Sequence, residues 1–260
     1  MIARCLGSSS SGNCYLLQFS NDDKKYKTTI MIEAGFSHNE IKKRAITNGA
    51  IFMLSSLDAV LITHLHSDHA KGVQDYLKQY IDVYATEEVF NHYPSINDLT
   101  KHIIQPGNDY CIGEQLFIYT FNVEHDAPNS IGFIIYCKAT DEKVLFINDC
   151  KYVQENLSSW PFDYVFIECN YEDVQMHTIY NQAVKAEDKL TVSQYKRVID
   201  SHMSLVRCQK TLARLNLAQC KAIFLMHLSD RHANEYLMKT TIEDEFGVKT
   251  YVCQKNGGIK

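Results

Sequence analysis

Three imidazoles and a carboxylate fall within six consecutive positions in His64-Leu65-His66-Ser67-Asp68-His69. Nitrogen and oxygen donors at that density suit a transition-metal cation, and zinc in particular accepts both while leaving a position open for chemistry. The run begins where an apolar stretch, Ala59-Val60-Leu61-Ile62, stops. At a strand end, residues two apart face the same side, so His64 and His66 can share one cation. Asp68 and His69, one step on as the chain turns into a helix, can face a second. With 11 histidines in 260 residues, a chance HxHxDH is on the order of one in a thousand. A polar loop that merely happens to be rich in histidine is set aside on that ground.

The elements that must position these residues are legible as alternating patterns. Strands are expected over residues 1–5, 14–19, 28–32, 58–63, 83–85, 115–121, 131–137, 144–147 and 164–168. Helices are expected over 39–48, opened by the capping pattern Ser37-x-x-Glu40, over 70–80, and from Thr86 onward. The last third reads as mainly helical, with strands at 222–225 and 249–253. Strands first, then a mixed half, predicts an α/β (α+β) protein: an αββα sandwich of two mixed β-sheets flanked by helices. One domain over residues 1–260 is expected. Residues 171–194 are polar and poorly periodic, which predicts an insertion acting as a lid or dimer contact.

The HxHxDH spacing matches the signature of the metallo-β-lactamase superfamily, and the resemblance runs along nearly the whole chain. It implies that the sandwich is the metallo-β-lactamase fold and that further ligands follow downstream in order. His125, in Val123-Glu124-His125-Asp126, matches the third imidazole of the first metal. Asp149, ending Leu145-Phe146-Ile147-Asn148, matches the carboxylate that bridges both metals, in preference to the neighbouring Cys150. His227, after Ile223-Phe224-Leu225-Met226, matches the last ligand of the second. The implied cofactors are two zinc ions, with manganese as the alternative. His64, His66, His125 and Asp149 would hold one, and Asp68, His69, Asp149 and His227 the other. A water between them would lose its proton near neutral pH, with Asp68 also orienting it.

His66 in place of a glutamate disfavours the diiron oxidoreductase branch. Three segments resemble the phosphodiesterase branch: Phe166-Ile167-Glu168-Cys169-Asn170, Ser201-His202-Met203-Ser204 and His227-Leu228-Ser229. That resemblance implies that His202 donates a proton to the leaving oxygen and that Glu168 holds its tautomer. The loop Gly7-Ser8-Ser9-Ser10-Ser11-Gly12-Asn13-Cys14 also fits, with Asn13 and free amides available to a phosphate. Glu33, in Ile32-Glu33-Ala34-Gly35, stands where most of the superfamily has aspartate, and the longer side chain puts the support of the metal loop in question.

The formal net charge of −5 argues against a long nucleic acid as obligatory partner. The short basic runs Lys24-Lys25-Tyr26-Lys27 and Lys42-Lys43-Arg44 read as a solvated turn or helix face. No segment matches the protruding arm of the tRNA 3′-end endonucleases. The chain most resembles the phage anti-Pycsar proteins and their bacterial relatives. This implies hydrolysis of 3′,5′-cyclic mononucleotides (cyclic CMP, UMP, AMP and GMP) to linear monophosphates, countering cyclic-nucleotide antiviral signalling. It also implies a homodimer in which a loop of one subunit helps close the other's pocket, with residues 171–194 as the candidate; Tyr171, His177 and Tyr180 there have flat side chains of the kind that stack on a base, although a core or surface role is the commoner one for any single tyrosine. The alternatives are a single-domain exonuclease or ribonuclease acting on nucleic acid, and a protein that sequesters nucleotides without turnover. Nine cysteines without a CxxC pair predict neither a disulfide framework nor a thiolate metal site. The absence of a long apolar run or signal-peptide pattern predicts a cytoplasmic protein of a bacterium or phage-infected host, with no membrane partner.

Overall fold

The computed structural model describes residues 1–21, 26–94 and 98–260; Lys24 and Lys25 of the first basic run lie outside them. Six strands form the first sheet in sequence order: β1 (Ile2–Gly7), β2 (Cys14–Ser20), β3 (Lys27–Ile32), β4 (Ala59–Leu61), β5 (Asp82–Ala85) and β6 (Lys101–Ile103). β1, β2 and β3 pair antiparallel, and from β3 to β6 the pairing is parallel. Seven strands form the second: β7 (Asp109–Ile112), β8 (Leu116–Asn122), β9 (Ile131–Cys137), β10 (Glu142–Ile147), β11 (Tyr164–Glu168), β12 (Ala222–Met226) and β13 (Thr250–Val252). Here too an antiparallel half, β7 to β10, gives way to a parallel half, β10 to β13.

The central strands are buried on both faces, which is why they read as continuous apolar runs. Tyr15, Leu17, Phe19, Ile30 and Ile32 of the first sheet meet Phe133, Ile135, Phe146, Phe166 and Phe224 of the second. The alternate residues, period two along each strand, pack outward onto helices. Leu16, Met31, Val60 and Val83 lie against α1 (His38–Thr47), α2 (Ile51–Leu54), α4 (Val73–Leu77) and α5 (Glu87–His92). Leu145, Ile167, Ile223 and Leu225 lie against α8 (Leu205–Leu212) and α9 (Glu235–Phe246). The expected αββα sandwich of two mixed sheets is the architecture of the chain.

Ser37 caps α1 as its pattern predicts, accepting from the Glu40 amide. The single helix expected over 70–80 is instead two short ones, α3 (Ser67–Ala70) and α4. Gly72 divides them, donating its amide to Ala34 O at 2.7 Å; a Cβ there would stand 2.5 Å from Phe36 O. Residues 171–194 hold α6 (Asp173–Lys185) and the first half of α7 (Lys189–Ser201). Their periodicity is faint because only Met176 and Ala183 of α6, and Ser201 of α7, are buried. All nine cysteines are free, and no helix of the described residues is long and apolar enough to cross a membrane.

Candidate metal centre

The site sits at the carboxyl ends of strands from both sheets. β3 delivers Glu33, β4 the run from Thr63 to His69, β8 the loop bearing His125, β10 Asp149, β11 Glu168 and β12 His227. Glu33, Asp149 and His227 hold left-handed backbone, at φ 66°, 43° and 56°. Such conformations cost non-glycine residues on the order of 1–3 kcal/mol each and persist where the surroundings impose them. Three strands thus end in the same strained turn around one point.

His64, His66 and His125 bring three ligand atoms together, and Asp68, His69, Asp149 and His227 bring four; the atoms of each group lie within 4.8 Å of one another. In the first group His66 Nδ1 is 3.1 Å from His64 Nε2 and 3.3 Å from His125 Nε2. Asp149 stands between the groups, with Oδ2 3.2 Å from His69 Nε2 and 3.9 Å from His125 Nε2. All seven residues singled out as ligands meet at this point.

Neighbouring hydrogen bonds set the tautomers. Thr63 Oγ1 donates to Glu33 Oε1 at 2.6 Å, so at 2.9 Å its lone pair accepts a hydrogen bond from His64 Nδ1–H and leaves Nε2 bare toward the cluster. His125 Nδ1 donates to Ser201 O at 2.9 Å, with the same effect. Glu33 also lies 3.1 Å from His69 Nδ1, at ion-pair distance though out of hydrogen-bond alignment. The extra methylene of Glu33 therefore does not spoil the support of the metal loop. One carboxylate spans Thr63 and His69.

The electrostatics ask for positive charge. Burial alone would depress His69 and His227, but the carboxylates facing them together outweigh it, Asp149 foremost at both. Glu33 adds to this at His69, Asp68 and Glu168 at His227, so His69 is held well above its ordinary pKa and His227 is raised to about 10. Burial likewise opposes charge on Asp68 and Asp149, yet His227 and His69 hold both well below the usual carboxylate range. Burial, reinforced by neighbouring imidazoles, lowers His64 and His66, leaving them neutral donors. His69 Nδ1, Asp149 Oδ1 and His227 Nε2 are buried without a hydrogen-bond partner among the described residues. Orphaned buried donors and acceptors are rare in finished interiors. An imidazole and carboxylate set in this state fits divalent cations.

Glu168 and His202 form a second device. Glu168, fully buried, accepts from the Cys150 amide at 2.7 Å, the Met203 amide at 3.1 Å and His202 Nδ1 at 2.6 Å. That leaves His202 Nε2 for the cavity, and although burial opposes it, Glu168 together with Asp149 raises the His202 pKa. The ring stacks 5.3 Å from that of His227.

Other expectations are corrected. Asn13 is fully buried, its amide tied to Ser9 O and Asp68 O, so it braces the Gly/Ser loop and does not face a phosphate. Ser8 accepts the His227 amide at 2.8 Å, and Ser10 is the loop residue that reaches the cavity. Tyr171 is buried beside Arg207, which removes it as a platform for a base. The cavity over the clusters, about 470 Å³, is also lined by Gln194 and Arg197 of α7. Arg197 Nε donates to Asp126 at 2.9 Å. Neither Arg197 nor Asp126 carries a sequence signal of its own.

Comparisons with known proteins agree with the fold. The family model described as a beta-lactamase superfamily domain matches residues 28–228. The chain is 26% identical over 251 residues to the exodeoxyribonuclease WalJ of Streptococcus pneumoniae strain D39, covering 92% of this chain and 86% of that protein. It is 26% identical over 241 residues to the exodeoxyribonuclease YycJ of Bacillus anthracis, covering 82% and 86%. Human short-form tRNase Z superposes with a TM-score of 0.64 at 14% identity, over 100% of this chain and 98% of that one. Zinc-bound PqqB from Methylobacterium extorquens gives 0.66, also at 14%, over 100% and 99%. At that identity the solved structures speak for the fold alone.

Proposed function

We propose, from the premise that the chain belongs to the beta-lactamase superfamily, that this metallo-hydrolase fold serves a nuclease cutting phosphodiester bonds at the end of a nucleic-acid strand. The observation that carries the reading is the adjacency of two donor clusters and an oriented imidazole, His202, over one open cavity. The exonuclease names of the two curated relatives favour a polynucleotide over the cyclic mononucleotides expected from the anti-Pycsar resemblance.

His64, His66 and His125 would hold one zinc or manganese ion and Asp68, His69 and His227 the other, with Asp149 shared. Bound there, such ions supply an acidified water and neutralise charge on the phosphoryl group. The chain's own residues do the rest. Asp68, partly exposed at the cavity floor, orients the attacking water through its carboxylate. His202, its Nδ1 proton committed to Glu168, carries from Nε2 the proton that the leaving oxygen needs. Arg197 offers an exposed cation at the rim for a backbone phosphate.

The test is a parallel assay of linear single-stranded DNA, RNA and the four cyclic mononucleotides with manganese or zinc, using His69→Ala as control. The expected result is shortened oligonucleotides beside intact cyclic nucleotides. Linearised cyclic nucleotides beside intact strands would overturn the reading in favour of a signal-degrading phosphodiesterase.

A further inference from the structure

α7 supports the first donor group from outside the cluster. His125 Nδ1 donates to Ser201 O, in the last turn of the helix, at 2.9 Å. One turn earlier, Arg197 Nε donates to Asp126 Oδ2 at 2.9 Å. The other oxygen of that carboxylate, Oδ1, lies 3.0 Å from His125 Nε2 and 3.7 Å from His66 Nε2. Two of the three imidazoles of this group therefore meet α7 through the Asp126–Arg197 pair, and one of them also through the helix backbone. The third, His64, takes its support from Thr63 and Glu33.

The same helix is lightly anchored along the rest of its length. Of α6 and α7, only Met176, Ala183 and Ser201 are buried, so apolar burial contributes little to their placement. Arg207 pins the last turn of α7 through Ile199 O at 2.7 Å. Upstream of that turn, Arg197 reaches Asp126 and the Tyr195 ring lies 4.9 Å from that of His232. Gln194, Arg197 and Val198 line the cavity over both clusters, so the position of this stretch decides how open the cavity is.

Charge gives the Asp126–Arg197 pair a direction. With its Nδ1 proton committed to Ser201 O, His125 turns a bare Nε2 toward Asp126 Oδ1, and two acceptors 3.0 Å apart repel each other. Positive charge held by the first group offsets that repulsion. It also makes the outer N–H of His66, whose Nδ1 faces the cluster, a stronger donor toward the same carboxylate.

We propose that Asp126 and Arg197 are positioning residues that couple cation binding in the first donor group to the docking of α6 and α7 over the cavity; the inference rests on the reading of the centre as a two-cation nuclease site. The coupling is reciprocal: a docked helix raises cation affinity by the factor by which the cation favours docking. Because the catch is an ion pair between partly exposed side chains, that factor is about two- to fivefold.

Hydrogen exchange of the α6 and α7 amides, on stripped and on zinc-saturated protein, reads the coupling without turnover. In the wild type, zinc is expected to slow exchange over residues 173–200 about two- to fivefold. In Arg197→Ala exchange is expected to be faster with and without zinc, and the zinc-dependent slowing to be gone. Asp126→Asn, and His64→Ala, which removes a donor of the first group, should lose the slowing as well. An Arg197 that only stabilises the helix would speed exchange and leave the zinc-dependent slowing intact. That result, or no slowing in a wild type that has taken up zinc, overturns the proposal. Zinc uptake and cleavage of linear DNA are read on the same samples. Slowing that depends on Arg197 in a protein that leaves DNA intact supports the coupling and sinks only the nuclease reading, whereas a protein that takes up no zinc overturns both.

Discussion

Glu33 shows how much one side chain can carry. Its carboxylate accepts a hydrogen bond from the Thr63 hydroxyl, which leaves that oxygen as acceptor for His64 Nδ1, and it faces His69 at 3.1 Å. Glu33→Gln keeps the length and removes the charge, so zinc affinity measured by competition with a chelating dye should fall about 10–100-fold with the fold intact; unchanged affinity would show that Glu33 is only packing. His202→Ala should lower kcat about 10²–10⁴-fold while KM moves little, and a KM effect alone would make His202 a binding residue. The donors of HxHxDH were legible in sequence because that run is dense, and His125, Asp149 and His227 because the family resemblance says where along the chain to look for them. Thr63, Asp126 and Arg197 were not, because their roles depend on what the fold places opposite them. Asn13 misled for the same reason: a polar residue in a Gly/Ser turn looks exposed until Asp68 folds over it.

At the scale of elements, the metal loop, the end of β3 and the Gly/Ser loop close on one another at Gly35. Its amide donates to Asn13 O at 2.9 Å, Asn13 N donates to Asp68 O at 2.7 Å, and a Cβ on Gly35 would lie 1.8 Å from Asp68 O. Backbone on that side cannot give way without moving Asp68. Gly35→Ala should therefore cost more than ~3 kcal/mol in urea unfolding and weaken metal binding together with stability. A stable variant with normal metal affinity would contradict this junction. Most central strands could be read from their apolar runs, whereas β6, three residues with its first two half-buried and the last exposed, offers no pattern to read. The division of α3 from α4 was hidden because Gly72 serves tertiary contact with Ala34 and Phe36, which no local pattern reports.

Across the whole molecule, two mixed sheets share one apolar layer, and the strained ends of their parallel strands meet at a cluster of acids and imidazoles. The net charge of −5 argues against nucleic acid only on average over all faces, and says little about a local cation such as Arg197 at the cavity rim. Cations that bind the native cluster and not the unfolded chain stabilise by mass action. Stripping them should lower the thermal midpoint by about 5–10 °C, and a midpoint indifferent to chelation would mean that the cluster holds no metal. The most direct measurement is to titrate chelator-treated protein with manganese or zinc while following both metal occupancy and release of mononucleotides from linear DNA. Turnover should rise from nothing and saturate at two metal equivalents per chain, with His64→Ala and Asp68→Ala silent throughout; full turnover by the stripped protein would contradict the account.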